Sequence, residues 1–410
     1  MTGQRHLMNR QDQGSPRVLV IGAGTRLLSA MSYYTLRLTN ALTSRFTVAF
    51  IPMRQLIPTF LYPGRSRVGS ASTRLELHPS VTVFDGIDWF WGLNFVRDLR
   101  CLRRWQPDVV IFEWWTGTVL HTYLAFALLA RLQRAMVIVE VHEVLDTGEA
   151  RIPLARAWVR VIGRPFFGLA SAFVIHSEAD RRPVEERYRV RDRLCVVIPQ
   201  GPNDHHAPRG ADGRATAVRL RDAPRGTLNL LFFGLIRPYK GLEDLVRAFQ
   251  MLDDDEAARY WLTIVGETWE GWDLPIRLIE KSHHRRITLV NRFVTDDEVT
   301  AYFAGADAVV LPYHRSSASS PASAAMANGL PLVVTEVGGL PEAVAGYEGA
   351  ILVPPRDPVA LRDAIRRLPD LCGRRYRDPH SWDRTVTLYG ELMDRLDHSH
   401  TKRLPRDNIP

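Results

Sequence analysis

Apolar runs recur along the first half of the chain at residues 18–22, 47–51, 81–84, 109–112, 136–141, 172–175 and 195–198. They are rich in Val, Ile and Phe and almost free of polar interruptions, the pattern of strands covered on both faces of a parallel sheet. Between them the apolar spacing lengthens, and residues 93–104 and 177–188 read as helices. From Gln200 to Asn229 the pattern lapses into Pro, Gly, Asp and Arg, as a linker does. It then restarts, with strands expected at residues 228–234, 261–265, 287–290, 308–312, 332–335 and 350–353. Helix ends in this half are spelled out. Thr295 with Glu298 makes a capping box, Pro321 suits a first helical position with Gly329 beyond the end, and Asp357-Pro358 opens another helix. A last helix begins near Ser381, with Trp382, Val386, Leu388, Tyr389 and Leu392 available for packing.

Alternating strands and helices on this scale predict α/β architecture with doubly wound parallel sheets. A length of 410 residues exceeds one hydrophobic core, so two domains follow. The expected division is 1–200, a linker at 201–228, a second domain at 229–380, a closing helix at 381–397 and a tail at 398–410 without fixed order. With 46% hydrophobic and 24% charged residues, neither a disordered nor a fibrous chain is indicated.

No window reaches the ~20 uninterrupted apolar residues of a membrane-spanning helix. The beginning of the chain, with Arg5 and Arg10 among Gln, Asn and Asp, lacks a signal-peptide core, and a cytoplasmic location is expected. Cys101, Cys195 and Cys372 lie too far apart for a metal site or disulfide framework. Charge is uneven. Residues 1–200 hold 26 Arg and no Lys against 16 acids, a balance of +10, and the remainder carries −2. A basic first half fits an anionic acceptor, a lipid-phosphate surface or a nucleic acid, with a solvated arginine surface as the alternative. Zinc-finger spacing and aromatic RNA-binding strands are missing, so no nucleic-acid partner is expected.

The sharpest chemistry lies in LLFFGLIRPYKG, residues 230–241, running into Leu242, Leu245, Val246 and Phe249 at helical spacing. Arg237 and Lys240 stand just before a helix N-terminus, whose dipole already disfavours cations unless an anion joins them. A diphosphate would resolve that conflict. Only three of the 53 basic residues are lysine, which marks Lys240 further; two exposed cations without a ligand are the alternative. A second loop, LPYHRSSASSP at residues 311–321, brings small hydroxyl residues to a Pro-started helix with open backbone N–H groups. A third, VGGLPE at 337–342, joins a strand to a helix, and Glu342 there reads either as a ligand or as a favourable first-turn acid.

Together FFGLIRPYKG, IVGETWEGW, LVNRFVTDDEV, LPYHRSSASS and AMANGLPLVVTEVGGLPEAV resemble the retaining glycosyltransferases of family 4, over most of the chain and most strongly from Leu228 to Val353. The resemblance implies the GT-B fold, two Rossmann-like domains facing across a cleft. It also implies a nucleoside-diphosphate sugar as donor substrate, no cofactor, and a hydroxyl acceptor, lipid-linked or phosphorylated, met at the membrane periphery. Gly234, Arg237 and Lys240 would hold the donor diphosphate, Asn291, Arg292, Phe293 and Val294 would line the base, and Ser319 and Ser320 would donate to the phosphates. Many members carry two glutamates eight positions apart near the donor; the equivalent places here are Ser316 and Ala324, so the donor sugar does not carry over. In the first half, Gly22 to Tyr34 resembles the family's first loop, with Ala30 where glycine is usual, and Ser32 and Tyr33 are implied acceptor contacts. Glu113, Trp114, Glu143, Asp146 and Glu149 follow strands as further acceptor ligands or as solvated loop acids. His142 matches a histidine near the donor sugar, with helix capping or loop bridging as its other use. Catalysis would fall to His142, Arg237 and Lys240. No Asp-x-Asp pair follows a strand in the donor half, so no metal is implied.

Three other readings meet these residues. An NAD-dependent oxidoreductase fails because the third glycine of the fingerprint would fall at Leu27, and no acid lies between Asp12 and Glu76 to bind a ribose. A catalytically inactive binding protein of the same fold stays open through the missing glutamates, as does a nucleotide-sugar epimerase.

Overall fold

The computed structural model describes residues 15–25, 30–56, 75–144, 153–206, 223–224, 226–269, 271–283 and 285–403. The chain divides into two compact units, the first built from 1–175, 181–198 and 382–410, the second from 176–180 and 199–381.

In the first unit the order is β1 (Arg17–Ala23), α1 (Ala30–Leu42), β2 (Thr47–Gln55), β3 (Thr82–Val83), β4 (Ile87–Asp88), α2 (Leu93–Trp105), β5 (Val109–Trp114), α3 (Leu120–Leu132) and β6 (Met136–Val141). It continues with α4 (Pro153–Gly168), β7 (Ala172–Ile175), α5 (Arg181–Tyr188) and β8 (Leu194–Val197). The strands pair in the order β3-β2-β1-β5-β6-β7-β8, all parallel, with β4 beside β2. Successive connections run one way from β1 and the other way from β5, so the topological switch lies between these two strands. Every residue of β5 is buried, as the unbroken apolar run requires of a strand covered on both faces. Val110, Phe112 and Val139 pack toward Phe126, Phe166 and Val184 of α3, α4 and α5, while Val18, Val20 and Ile111 pack on the other face toward Leu38 of α1.

The second unit contains β9 (Leu228–Phe233), α6 (Leu242–Gln250), α7 (Asp254–Ala257), β10 (Tyr260–Val265), α8 (Leu274–Glu280), β11 (Ile287–Val290) and α9 (Asp296–Gly305). After these come β12 (Ala308–Leu311), α10 (Ser320–Ala327), β13 (Leu332–Thr335), α11 (Leu340–Ala343), β14 (Ala350–Val353) and α12 (Pro358–Arg367). Its sheet, β11-β10-β9-β12-β13-β14, is parallel and switches between β9 and β12. The helix signals operate as local chemistry. Thr295 and Glu298 form a reciprocal capping box, Asp357 caps α12, and Ser319 caps α10 with Gly329 left-handed beyond its end.

The last helix, α13 (Trp382–Arg403), packs in the first unit although it follows the second sheet in sequence. Val386, Tyr389, Leu392, Met393 and Leu396 make one apolar stripe that covers the α1 face of the first sheet. It also outruns the expected end at 397: the backbone remains helical to Arg403, where a tail without order was expected from 398, because the polar run His398–Arg403 contains no Gly or Pro to stop it. Most of the expected linker lies outside the described residues.

Candidate functional site

The loops of the second unit meet at its switch point. Gly234, whose φ is +128°, follows β9, and the chain crosses Arg237 into a short 3₁₀ turn, Pro238–Lys240. Gly241 follows with φ of +62°, and any Cβ there would stand 1.9 Å from the Pro312 carbonyl, so only glycine lets this loop lie against the one after β12. Hydrogen bonds tie the two together: His314 N–H donates to Tyr239 O at 2.8 Å, and His314 Nε2 lies 2.7 Å from Asp244 Oδ2. The third loop is joined in the same manner. Gly339 N–H donates to Ser316 O at 3.1 Å, and a Cβ on Gly338 would be 1.8 Å from that oxygen.

Both cations of the first loop lie against aromatic faces. The Arg237 guanidinium stands 5.7 Å from the Tyr239 ring and 5.5 Å from Trp269, and Lys240 Nζ stands 3.7 Å from Tyr313 and 5.2 Å from Tyr239. Aromatic faces hold cations in place without cancelling their formal charge. Arg315 approaches Tyr239 too, at 5.2 Å, so three cations gather around one tyrosine beside the N-terminus of α6. Within α6 the buried first-turn acids Glu243 and Asp244 oppose that charge through the helix end, Asp244 also meeting Arg247 at 3.2 Å. The aromatic platform and the His314–Asp244 pair were missed by sequence reasoning. Tyr239 between the two cations was the available signal, whereas the approach of Tyr313 and His314 exists only through packing.

Ser319 places its hydroxyl oxygen on Ala322 N–H as the N-cap of α10, and Ser320 opens that helix. Ser316 is buried with its hydroxyl donated to Ala318 O, and Ala324 is buried within α10, so neither position offers a carboxylate. After β11, Asn291 Oδ1 accepts from Thr268 N–H at 2.9 Å and from its hydroxyl at 3.0 Å. Arg292 pairs with Glu298, whose carboxyl is driven down to about 2, chiefly by that hydrogen bond. Phe293 is exposed, while Val294 belongs to the core. Glu342 accepts from Glu178 N–H at 2.6 Å and Ala179 N–H at 3.0 Å. Its carboxylate thus caps the short turn at 178–180.

In the first unit the structure corrects two expected acceptor ligands. Glu113 is wholly enclosed, bonded to the Thr35 hydroxyl, and its carboxyl is raised well above the usual range by burial and by nearby Glu140. Alternation along β5 turns it under α1, away from solvent. Trp114 points to the opposite face as a core residue, its indole N–H donating to Tyr188 Oη at 2.7 Å. Ser32 is buried and donates to Gly24 O at 2.9 Å, Tyr33 is half-buried, and Glu143 is exposed. Asp146 and Glu149 lie outside the described residues. His142 follows β6, with its backbone N–H on Trp114 O at 2.9 Å and its buried ring edge-on to Tyr34, centroids 4.8 Å apart. Tyr34 Oη donates to Glu140 at 2.5 Å, and Tyr389 of α13 stands by the same carboxyl. Glu140 is pushed up to about 7 by burial, against the pull of those two hydroxyls.

Two doubly wound parallel-sheet domains in one chain, the second with a cation-bearing loop at its switch point, define the GT-B class of α/β proteins. Within that class, a model described as glycosyl transferases group 1 matches residues 227–370, and one described as glycosyl transferase 4-like domain matches residues 29–201. The chain belongs to the group 1, family 4-type glycosyltransferases. A D-inositol 3-phosphate glycosyltransferase of Streptomyces bingchenggensis is 30% identical over 270 residues, covering 61% of this chain and 58% of the relative. One of Salinispora arenicola is 32% identical over 259 residues, covering 57% and 58%. The chain thus spans somewhat over half the length of the curated relatives it matches. Among solved structures, sucrose-phosphate synthase from Thermosynechococcus elongatus superposes with a TM-score of 0.64 at 17% identity, over 94% of this chain and all of that one, and shows the fold.

Proposed function

We propose that this protein transfers a sugar from a nucleoside-diphosphate donor, held by the second unit, to a hydroxyl acceptor bound by the first. The observation that carries this is the cation cluster of Arg237, Lys240 and Arg315 around Tyr239, at the switch point of a family 4-type donor domain. A diphosphate there meets fixed positive charge and the N-terminus of α6, and charge growing on it as the sugar departs is stabilised by the same groups. The reading is a retaining one: the acceptor approaches from the diphosphate side and a leaving phosphate oxygen takes its proton, a course that needs no carboxylate at Ser316 or Ala324. His142, fixed against Tyr34, positions the sugar. The acceptor is read as phosphorylated or lipid-linked and met at the cytoplasmic face of a membrane. The +10 balance of residues 1–200 and relatives named for inositol 3-phosphate support the phosphorylated part. Because cations and helix termini supply the charge, activity is expected to persist in excess EDTA; loss restored by a divalent ion would refute metal independence.

The test is nucleotide release from a panel of UDP-, GDP- and dTDP-sugars with candidate acceptors, followed by NMR of the product anomer. Turnover with an α-linked product from an α-linked donor is expected. A β-linked product would overturn retention. Donor binding without turnover would favour the inactive binding protein, a reading kept in view by buried Ser316 and Ala324.

A further inference from the structure

Helices α2, α3 and α4 line one face of the first sheet, and their inward residues Phe95, Phe126 and Phe166 form its core. A helix in that position ordinarily turns polar residues outward. These three do not. Leu93 of α2 is 78% exposed, Leu132 of α3 is 81% exposed and Leu154 of α4 is 80% exposed, with Trp91 ahead of α2 at 58% and Trp158 of α4 at 42%. A chain of ring contacts joins the helices: Trp91 lies 5.9 Å from His121 of α3, which lies 6.0 Å from Trp158. The exposed charges carried by the helices themselves are all positive, Arg97 alone of those named below meeting an exposed acid, Asp85 of the loop before β4, at 3.5 Å. Arg156, Arg160 and Arg164 recur every fourth residue along α4, all exposed, and Arg97, Arg100 and Arg103 are exposed on α2. The one acid in the three helices, Asp98, is turned inward, accepting from the Asp85 and Gly86 amides at 3.1 and 2.8 Å.

We propose that this face docks on a lipid bilayer containing anionic headgroups. Apolar tips among arginines, with tryptophans able to sit at the boundary, match the layered chemistry of a membrane surface, where tips enter the acyl boundary and guanidinium groups stay with phosphate. Exposed aliphatic leucines gain nothing from a nucleic-acid backbone, and their spread over three helices suits an extended apolar layer. The proposal deepens the reading of a membrane-presented acceptor, but binding is measured without any sugar donor, so it fails separately from sugar transfer.

The experiment is sedimentation of the full chain with vesicles of phosphatidylcholine alone or mixed with phosphatidylglycerol. Binding to the mixed vesicles only is expected. An Arg156→Gln/Arg160→Gln/Arg164→Gln variant should bind them roughly 100-fold more weakly, at about one screened contact per arginine. Leu154→Ser should weaken binding severalfold by removing an inserted apolar side chain, with unchanged thermal unfolding as the control for folding. Failure of the wild-type chain to bind mixed vesicles at low salt would overturn the proposal. So would full binding by Leu154→Ser, or displacement from vesicles by RNA or an acidic protein at low concentration, which would assign the arginines to those partners instead.

Discussion

Lys240 illustrates how a single residue links sequence to chemistry. Its ammonium rests on Tyr313, 3.7 Å from the ring, in a loop fixed from both sides. Lys240→Ala should lower turnover at saturating donor by roughly 10²-fold, the usual scale for one transition-state charge partner, with the thermal melt unchanged. Near-normal turnover would remove the diphosphate from this loop. Glu140 supports a prediction of another kind. In the folded protein its carboxyl keeps a proton up to about pH 7, whereas the unfolded chain releases it near the ordinary 4.5. Across that interval the folded state binds more protons, so this group's contribution to stability falls as pH rises from about 4.5 to 7 and is level above. Buried Glu113, also raised, acts in the same direction. Glu140→Gln keeps a partner for Tyr34 and removes the titration, so the variant should lose less melting temperature than wild type between about pH 5 and pH 8. Parallel melting curves for the two proteins would show that Glu140 does not hold that proton. At this scale the place of Arg237 and Lys240 between a strand and a helix was legible, because the strand and helix patterns around them are local. It misassigned Glu113 and Trp114, because which face a strand residue takes is set by sheet packing.

At the scale of elements, the tight approach of the β9 and β12 loops rests on Gly241. Gly241→Ala must both strain a left-handed backbone and displace the Pro312 carbonyl, since its Cβ would lie 1.9 Å away. Gly271→Ala has nearly the same φ, +65°, and meets nothing within 4 Å. The Gly271 change should cost about 1 kcal/mol in urea unfolding, and the Gly241 change about 3 kcal/mol together with reduced donor affinity. Equal costs would mean that the loops do not need this contact. Helix ends were legible here through capping chemistry within four residues, as at Thr295 and Asp357.

For the whole molecule, α13 is the element most distant from its packing partners along the chain. Ending the chain at Ser381 would strip Val386, Tyr389, Leu392, Met393 and Leu396 from the face that carries Val18, Val20 and Ile111. At about 1.5–3 kcal/mol per buried apolar side chain, the loss is on the order of 10 kcal/mol, comparable to a domain's whole stability. Limited proteolysis of the truncated chain should therefore degrade residues of the first unit quickly while a fragment of the second survives. Survival of both would show that α13 is dispensable to the first core.

The sequence by itself determined the strands other than the short β4, most helix ends, the two sheets and the loop that bears Arg237 and Lys240. Each of these follows from short-range terms: apolar periodicity, caps, glycines and the helix dipole. Tertiary structure alone decided that α13 returns to the first unit, that Glu113 and Glu140 share one buried cluster, and that Tyr313 and His314 meet the loop after β9. Those outcomes depend on which apolar faces remain uncovered once both sheets have formed. That is a property of contacts between residues far apart in the chain, which no local pattern encodes.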